Sequence, residues 1–306
     1  MNSCITQERR QLGAVRTSAV HSHGLDVAAY SGDGPLVALL DRYPAELIDV
    51  NHYEYDAAGQ VTMMAGERGQ ASGAELLEAV RKGRMWINLR GIEDVWPEFW
   101  QAASDAFGDI ASAYENMQAV KRAGQLIISS PGTRVPYHFD ASGVVLFHMR
   151  GIKRMFVYPS DATHLPEQAM ENIVARRTTE ELPYNLGFED NAEVFELHAG
   201  EALAWPLYAP HRVENVEGLC VSLSMEYQTW ESRMRTGTLY THAFVRERGL
   251  KPAPMHRLSR LALALRWMAS VPLRRLQVMG NNIAKIPRQF VVDATAETGM
   301  RQTLVD

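Results

Sequence analysis

The chain has 306 residues, 46% of them hydrophobic, with 31 Lys and Arg against 36 Asp and Glu. That is enough apolar surface for a sizeable core, and it excludes a disordered or collagen-like chain. The longest apolar runs, such as Leu261 to Leu265, fall far short of the roughly 20 residues that a bilayer span needs, so no transmembrane segment is expected.

The first residues, MNSCITQERRQLGAVR, carry charge where a signal peptide needs an apolar stretch. Cys4 and Cys220 are too few for a disulfide framework or a zinc ribbon. A cytoplasmic protein is the expectation. Residues 1–35 are polar and punctuated by Gly and Ser, which reads as a loosely ordered entry segment with His21 and His23 exposed in loops. Residues 36–124 form α/β elements flanking a core. Within them Ser72 and Glu75 have capping-box spacing, Leu76, Leu77 and Val80 follow, and Gly83 stands at the stop position of a short helix. Met85 to Leu89 reads as a strand, and Pro97 opens a second helix, with Phe99, Ala103 and Phe107 on one stripe and Gly108 as its end.

From 125 to 230 short β-type runs follow one another at 126–130, 135–140, 144–149, 152–158, 193–198, 201–206, 211–216 and 219–227. That density of strands predicts a small antiparallel barrel or jelly roll. The polar connection between Pro159 and Glu193 is too long for a passive hairpin and reads as a lid or substrate loop. Residues 231–306 read as a basic helical extension: ten Lys and Arg and one acidic residue, Glu247, lie between Arg246 and Arg288, whereas everything before Arg246 sums to −12. Such a Leu-rich, basic stretch suits an anionic membrane, a nucleic acid or a partner helix. A helical appendage with one face buried, in the molecule or across a homodimer, is the favoured reading. Nucleic acid is not expected, because no base-reading motif accompanies the charge.

The chemistry concentrates in His138-Phe-Asp140 and His211. Residues i and i+2 of a strand share a face, so His138 and Asp140 can project into a barrel while Phe139 packs outside. An antiparallel neighbour beginning at His211 can bring a second imidazole to the same point. Two histidines and one carboxylate on one face of an octahedron leave three open positions, the arrangement of non-haem Fe(II) oxygenases, so iron is the implied metal. Lys153 sits in the apolar run Ile-Lys-Arg-Met-Phe-Val-Tyr, where burial is costly unless an anion meets the ammonium. The distal carboxylate of an iron-chelating 2-oxoglutarate would be that anion. Alternation puts Lys153 and the neighbouring Arg154 on opposite faces, so only one of them can face a cosubstrate, and the plainer reading of Lys153 is an edge-strand or surface lysine. His148, His164, His198 and His242 read as core or surface residues, Trp205 and Tyr208 as packing near the barrel mouth, and Cys220 as an inert buried thiol.

The segments PYHFDASGVVLFHMRGIKRMFVYP and GEALAWPLYAPHRVEN resemble the JmjC/cupin-type 2-oxoglutarate oxygenases, including the factor-inhibiting-HIF asparaginyl hydroxylase and bacterial relatives, over about residues 125–230. The resemblance implies a mainly β chain with α additions, built on a double-stranded β-helix (jelly roll or cupin) core. It implies Fe(II), 2-oxoglutarate as cosubstrate and O2, with His138, Asp140 and His211 as catalytic metal ligands and Lys153 holding the cosubstrate. The implied reaction is hydroxylation of a C–H bond in a peptide or protein side chain or a small metabolite, with release of succinate and CO2. Two departures stand out. Val135 occupies a position where many relatives carry a hydroxyl that helps hold the distal carboxylate, leaving Thr133, Ser130 or Tyr137 for that task. Ser224 stands at an inward position that is often Asn. Trp86 and Asn88 match a strand that lines the pocket in relatives, and the C-terminal helices match appendages that form dimers. The alternatives are a cupin-like protein that binds metal and ligand without turnover, and a cupin metalloenzyme of another reaction type.

Overall fold

The computed structural model describes residues 13–55, 61–283 and 286–303; Cys4 lies outside them. The described chain enters through β1 (Ala19–Ser22), α1 (Val27–Ser31) and α2 (Asp33–Arg42). The entry segment, expected to be loosely ordered, therefore carries regular structure from residue 19 onwards. Its order comes from backbone pairing of β1 with Glu201–Ala204, which a polar side-chain pattern does not report. His23, expected to be exposed in a loop, is only 5% exposed, and its Nε2 lies 3.0 Å from the His148 carbonyl oxygen.

Next come β2 (Ile48–Tyr55), β3 (Val61–Glu67), α3 (Gly73–Lys82), β4 (Met85–Arg90), α4 (Ile92–Val95) and α5 (Pro97–Ser112). The capping box of α3 is formed in both directions: Glu75 N donates to Ser72 Oγ at 3.3 Å and Ser72 N to Glu75 Oε2 at 2.8 Å. The α5 helix runs past Gly108, which was expected to end it. A lone glycine costs a helix only about 1 kcal/mol relative to alanine, and the apolar stripe continues to Ile110.

The core consists of β5 (Lys121–Ser129), β6 (Arg134–His138), β7 (Gly143–Val157), β8 (Glu193–Leu197), β9 (Glu201–Ala204) and β10 (His211–Gln228), with α6 (Glu167–Val174) in the long connection. The runs 144–149 and 152–158, expected to be two strands around a turn, are the halves of β7, and 211–216 and 219–227 are the halves of β10. The joint is a bend: Gly151 has φ +80°, Gly218 has φ +70°, and the β7–β10 register shifts between Asn215 and Val221. This bend carries the ribbon from one layer to the other. The first half of β7 pairs with β9 and its second half with β8, while β10 pairs first with β6 and then with β5. The result is a mainly β protein with helical additions, whose core is a double-stranded β-helix of the jelly-roll type.

Alternation divides the side chains of the wall. Ile87 and Leu89 of β4, Leu126 and Ile128 of β5 and Leu223 of β10 face the helices, joining Leu76, Val80, Phe99 and Phe107 in one large core. Trp86, Asn88, Gln125, Ile127 and Ser224, the intervening residues, face a cavity. In the second layer Phe139, Tyr137 and Tyr158 pack outward among Leu165, Met170 and Tyr208, leaving His138, Lys153, Met155 and Val213 to face the same cavity.

After the core, α7 (Trp230–Arg246) and α8 (Arg260–Arg275) pack on one another, and β11 (Arg288–Val292) and β12 (Met300–Gln302) close the chain. The last segment is thus not wholly helical: β11 joins β3 in parallel and extends the sheet beyond the barrel. Only Arg288 of its five residues belongs to the basic run, and a strand this short shows too little alternation to stand out. No helix among the described residues is long and apolar enough to cross a membrane.

Candidate metal centre

His138 ends β6 and His211 begins β10, directly opposite one another in the antiparallel register, with ring centroids 4.2 Å apart. Asp140, two residues past His138, returns to the same face, and its Oδ2 lies 3.3 Å from His211 Nε2. Ligand atoms of the three residues all fall within 4.8 Å of one another.

Proton positions at the centre follow from hydrogen-bond partners. His138 Nδ1 lies 2.8 Å from the Pro136 carbonyl oxygen and His211 Nδ1 lies 3.1 Å from that of Ala209. A carbonyl only accepts, so each Nδ1 donates to it, and Nε2 is the ring atom left to bind a metal. Burial, followed by the neighbouring His138, pushes the His211 pKa down to about 4, against the partial pull of Asp140; the ring is neutral at pH 7. A lone pair and a carboxylate oxygen therefore face each other at 3.3 Å, two acceptors with no proton between them. That arrangement asks for a cation, and two imidazoles with one carboxylate suit a divalent transition metal bound on one face.

These residues sit in the wall of a cavity of about 540 Å³. Lys153 points into it from β7, 1% exposed, with its ammonium 5.0 Å from the Trp86 ring centroid. The strand is flanked by β8 and β10, so Lys153 is no edge-strand lysine. Burial lowers its pKa to about 8, and no carboxylate among the described residues offsets that cost. Arg154 turns to the other face and pairs with Glu196 at 2.7 Å.

The remaining candidates separate. Ser224 lines the cavity, as do Trp86, Asn88 and Trp205, whose ring lies 4.9 Å from that of His211. Tyr137 does not: alternation along β6 turns it to the outer face, where its hydroxyl donates to the His164 carbonyl oxygen at 2.9 Å. Nor does Ser130, whose hydroxyl donates to Val80 O and accepts from Met85 N. Thr133 is fully buried and is not among the residues lining the cavity; its hydroxyl has no partner among the described residues, and its carbonyl accepts from Asn215 N at 2.9 Å. Tyr208 packs against Phe139, and Cys220 is a buried free thiol.

Three residues beside the centre had no sequence signal. Asn215 is the cross-strand neighbour of Lys153; its amide donates to Ser129 Oγ and Ser130 O, and its Oδ1 is buried without a partner among the described residues. Glu180 and Glu226 both have raised pKa values, from desolvation of the carboxyl group first and then from the Asp140 carboxylate, although Glu180 as a whole residue is exposed and Glu226 half-buried. Glu180 comes from the long connection, whose residues 179–181 line the cavity and whose Glu181 bridges to His138. The connection read as a lid thus reaches the centre itself.

No family model and no curated protein matches the chain. Among solved structures it is similar to YcfD of Escherichia coli, 17% identical over 87% of this chain and 65% of that one, with a TM-score of 0.48. A structure of YcfD, a ribosomal oxygenase from Escherichia coli, in complex with cobalt and 2-oxoglutarate is 15% identical over 87% of this chain and 64% of that one, with a TM-score of 0.46. A conserved Streptococcus pyogenes protein, SPY1581, is 11% identical over 36% of this chain and 68% of that one, with a TM-score of 0.23. The chain therefore spans about 65% of the length of YcfD.

Proposed function

We propose that the chain is an Fe(II)- and 2-oxoglutarate-dependent oxygenase that hydroxylates a C–H bond of a peptide or protein side chain or of a small metabolite. One observation carries the reading: a buried lysine with no carboxylate partner shares a cavity with a His/Asp/His set whose ligand atoms converge. A metal-binding cupin of another kind needs the second feature but not the first. Bound iron and keto acid would supply the oxidising chemistry, consuming O2 and giving succinate and CO2.

The rest is done by the chain's own residues. His138, Asp140 and His211 would hold the metal through two Nε2 atoms and a carboxylate oxygen, with the Pro136 and Ala209 carbonyls fixing both ring orientations. Lys153 would receive the distal carboxylate in a charge-assisted pair and so set which end of the keto acid faces the metal. Trp86, Ile127, Leu146 and Met155 supply apolar wall that excludes water around that pair.

The test is anaerobic addition of Fe(II) and then 2-oxoglutarate, followed in the visible range for the charge-transfer band of a metal-chelated keto acid. The band should appear in the parent protein and be absent from the Asp140→Ala variant. Metal binding without the band would point to the cupin-like protein without 2-oxoglutarate turnover. For the assembly we propose a homodimer through the C-terminal helices. It is supported by the face of α8 carrying Leu261, Leu265 and Met268, with Leu276 at the cap just past its end, each more than half exposed. Sedimentation of Leu265→Glu against the parent chain checks it, and a monomeric parent would refute it.

A further inference from the structure

The register of the barrel wall sets a second polar side chain beside Lys153. Val213 of β10 and Met155 of β7 pair with one another and line the cavity, and two residues deeper along the same strands Asn215 pairs with Lys153. Alternation keeps that deeper pair on the face of the pair above it, and directly paired residues have Cβ atoms about 4.5–5.5 Å apart. Asn215 is 3% exposed and Lys153 1%. Both side chains also reach the same part of the opposite wall. The Asn215 amide bonds Ser129 Oγ at 2.8 Å, Ser129 is the cross-strand partner of Trp86, and the Lys153 ammonium stands 5.0 Å from the Trp86 ring centroid.

The way the amide is held decides which of its atoms is left over. Nδ2 spends its two protons on Ser129 Oγ and on the Ser130 carbonyl oxygen, each at 2.8 Å. A carbonyl only accepts, so the amide oxygen cannot take the place of the nitrogen there. Oδ1 is therefore fixed as an acceptor, and it is buried with no partner among the described residues. A buried acceptor without a donor is costly, and so is a buried ammonium without an anion. Lys153 answers both needs, because its four-carbon stem and three rotatable donors let the ammonium swing between Oδ1 and the cavity. An amide oxygen is neutral. It supports the ammonium without cancelling the charge, and it gives way to a carboxylate, which adds an opposite charge to the hydrogen bond.

We propose that Asn215 is a positioning residue for Lys153: its Oδ1 takes the ammonium while no anion is bound in the cavity and yields it to the carboxylate of the incoming ligand. Asparagine suits this exchange and aspartate does not, since a carboxylate at this point would hold the lysine permanently. The proposal rests on the oxygenase reading only in identifying that ligand as 2-oxoglutarate.

The experiment follows the lysine itself. The chain has five lysines, so NMR of metal-free protein carrying isotopically labelled lysine gives few signals, and the one lost in Lys153→Met belongs to Lys153. Burial lowers its pKa to about 8. Asn215→Asp should raise it by about one unit or more, and Asn215→Leu, which keeps the volume and removes the acceptor, should lower it by about one unit. Cys220 and His148, the titratable groups whose charges interact with Lys153, are the same in all these proteins. A residue that merely packs would not shift the lysine in opposite directions. Anaerobic titration of the Fe(II) protein should then show 2-oxoglutarate bound about tenfold or more weakly by Asn215→Asp, with Fe(II) affinity unchanged. A pKa that stays put or moves the same way in both variants would overturn the proposal, as would parent-like 2-oxoglutarate binding by Asn215→Asp. If the parent protein binds no 2-oxoglutarate, the oxygenase reading fails and the two pKa shifts alone decide the role of Asn215. Should Asn215→Leu not fold by circular dichroism, the Asn215→Asp arm stands alone, and a pKa that does not rise there overturns the proposal.

Discussion

Lys153 is the residue on which the function turns, and its burial has a cost that can be measured. Its pKa falls from the ordinary 10.5 to about 8 because the ammonium is desolvated. A base whose pKa drops on folding binds fewer protons in the folded state, so the penalty is full below pH 8 and fades as pH rises from 8 to 10.5. Its size at neutral pH is on the order of 3 kcal/mol. Lys153→Met keeps the apolar stem and removes the charge, so it should raise the urea midpoint at pH 7 and lose most of that gain at pH 10. Equal midpoints at pH 7 would mean that the ammonium is already compensated. Losing one charge-assisted bond should also raise the 2-oxoglutarate requirement of the variant by about 10- to 100-fold. The ligands behave in the opposite way. Without Asp140, His211 Nε2 loses the acceptor that faces it, and Asp140→Ala should weaken Fe(II) by about a hundredfold or more while leaving the fold intact, as equilibrium dialysis and circular dichroism would show.

At the scale of elements, the bend in the long ribbon brings the two histidines and the lysine to one cavity. Gly151 makes that bend for two separate reasons. Its φ is +80°, and a Cβ there would lie 2.8 Å from both Cys220 Sγ and Leu219 O. Gly200 has φ +98° and open space, so Gly200→Ala should cost only the conformational term, about 1–2 kcal/mol. Gly151→Ala adds the collision and should cost about 3 kcal/mol or more in urea unfolding. Equal costs would mean that the Cys220 contact gives way freely. The same bend shows where the sequence is readable. Residues 144–149 and 152–158 advertise themselves as strands, but a glycine marks a turn and a bulge alike, so two strands were expected where one bends. The His138, Asp140 and His211 set was legible because strand alternation constrains it locally, and the α3 capping box because it is complete within four residues. Glu180, Glu226 and Asn215 were not, since their place depends on the path of a loop and on cross-strand register. β1 was hidden because backbone pairing, rather than a side-chain pattern, holds it in the sheet, and β11 because five residues give too short a pattern to read.

At the scale of the whole molecule, the C-terminal segment returns across the fold to β3, far from the helices it follows. Phe290 of β11 is fully buried, and Gly66 of β3 provides its space: a Cβ on Gly66 would lie 2.3 Å from the Phe290 ring. The clasp therefore stabilises the N-terminal strands through packing, as well as through the parallel ladder. Phe290→Ala should cost about 3–5 kcal/mol by urea unfolding, since little around a fully buried ring can collapse into the space it leaves. None of the residues that converge on the candidate metal centre comes from β2, β3 or β11. Fe(II) affinity measured well below the unfolding transition should consequently stay within about twofold of the parent, because additivity holds for sites that share no partners. A parallel loss of metal and stability would instead mean that clasp and centre unfold as one unit, with the β2–β3 wall of the cavity transmitting the loss.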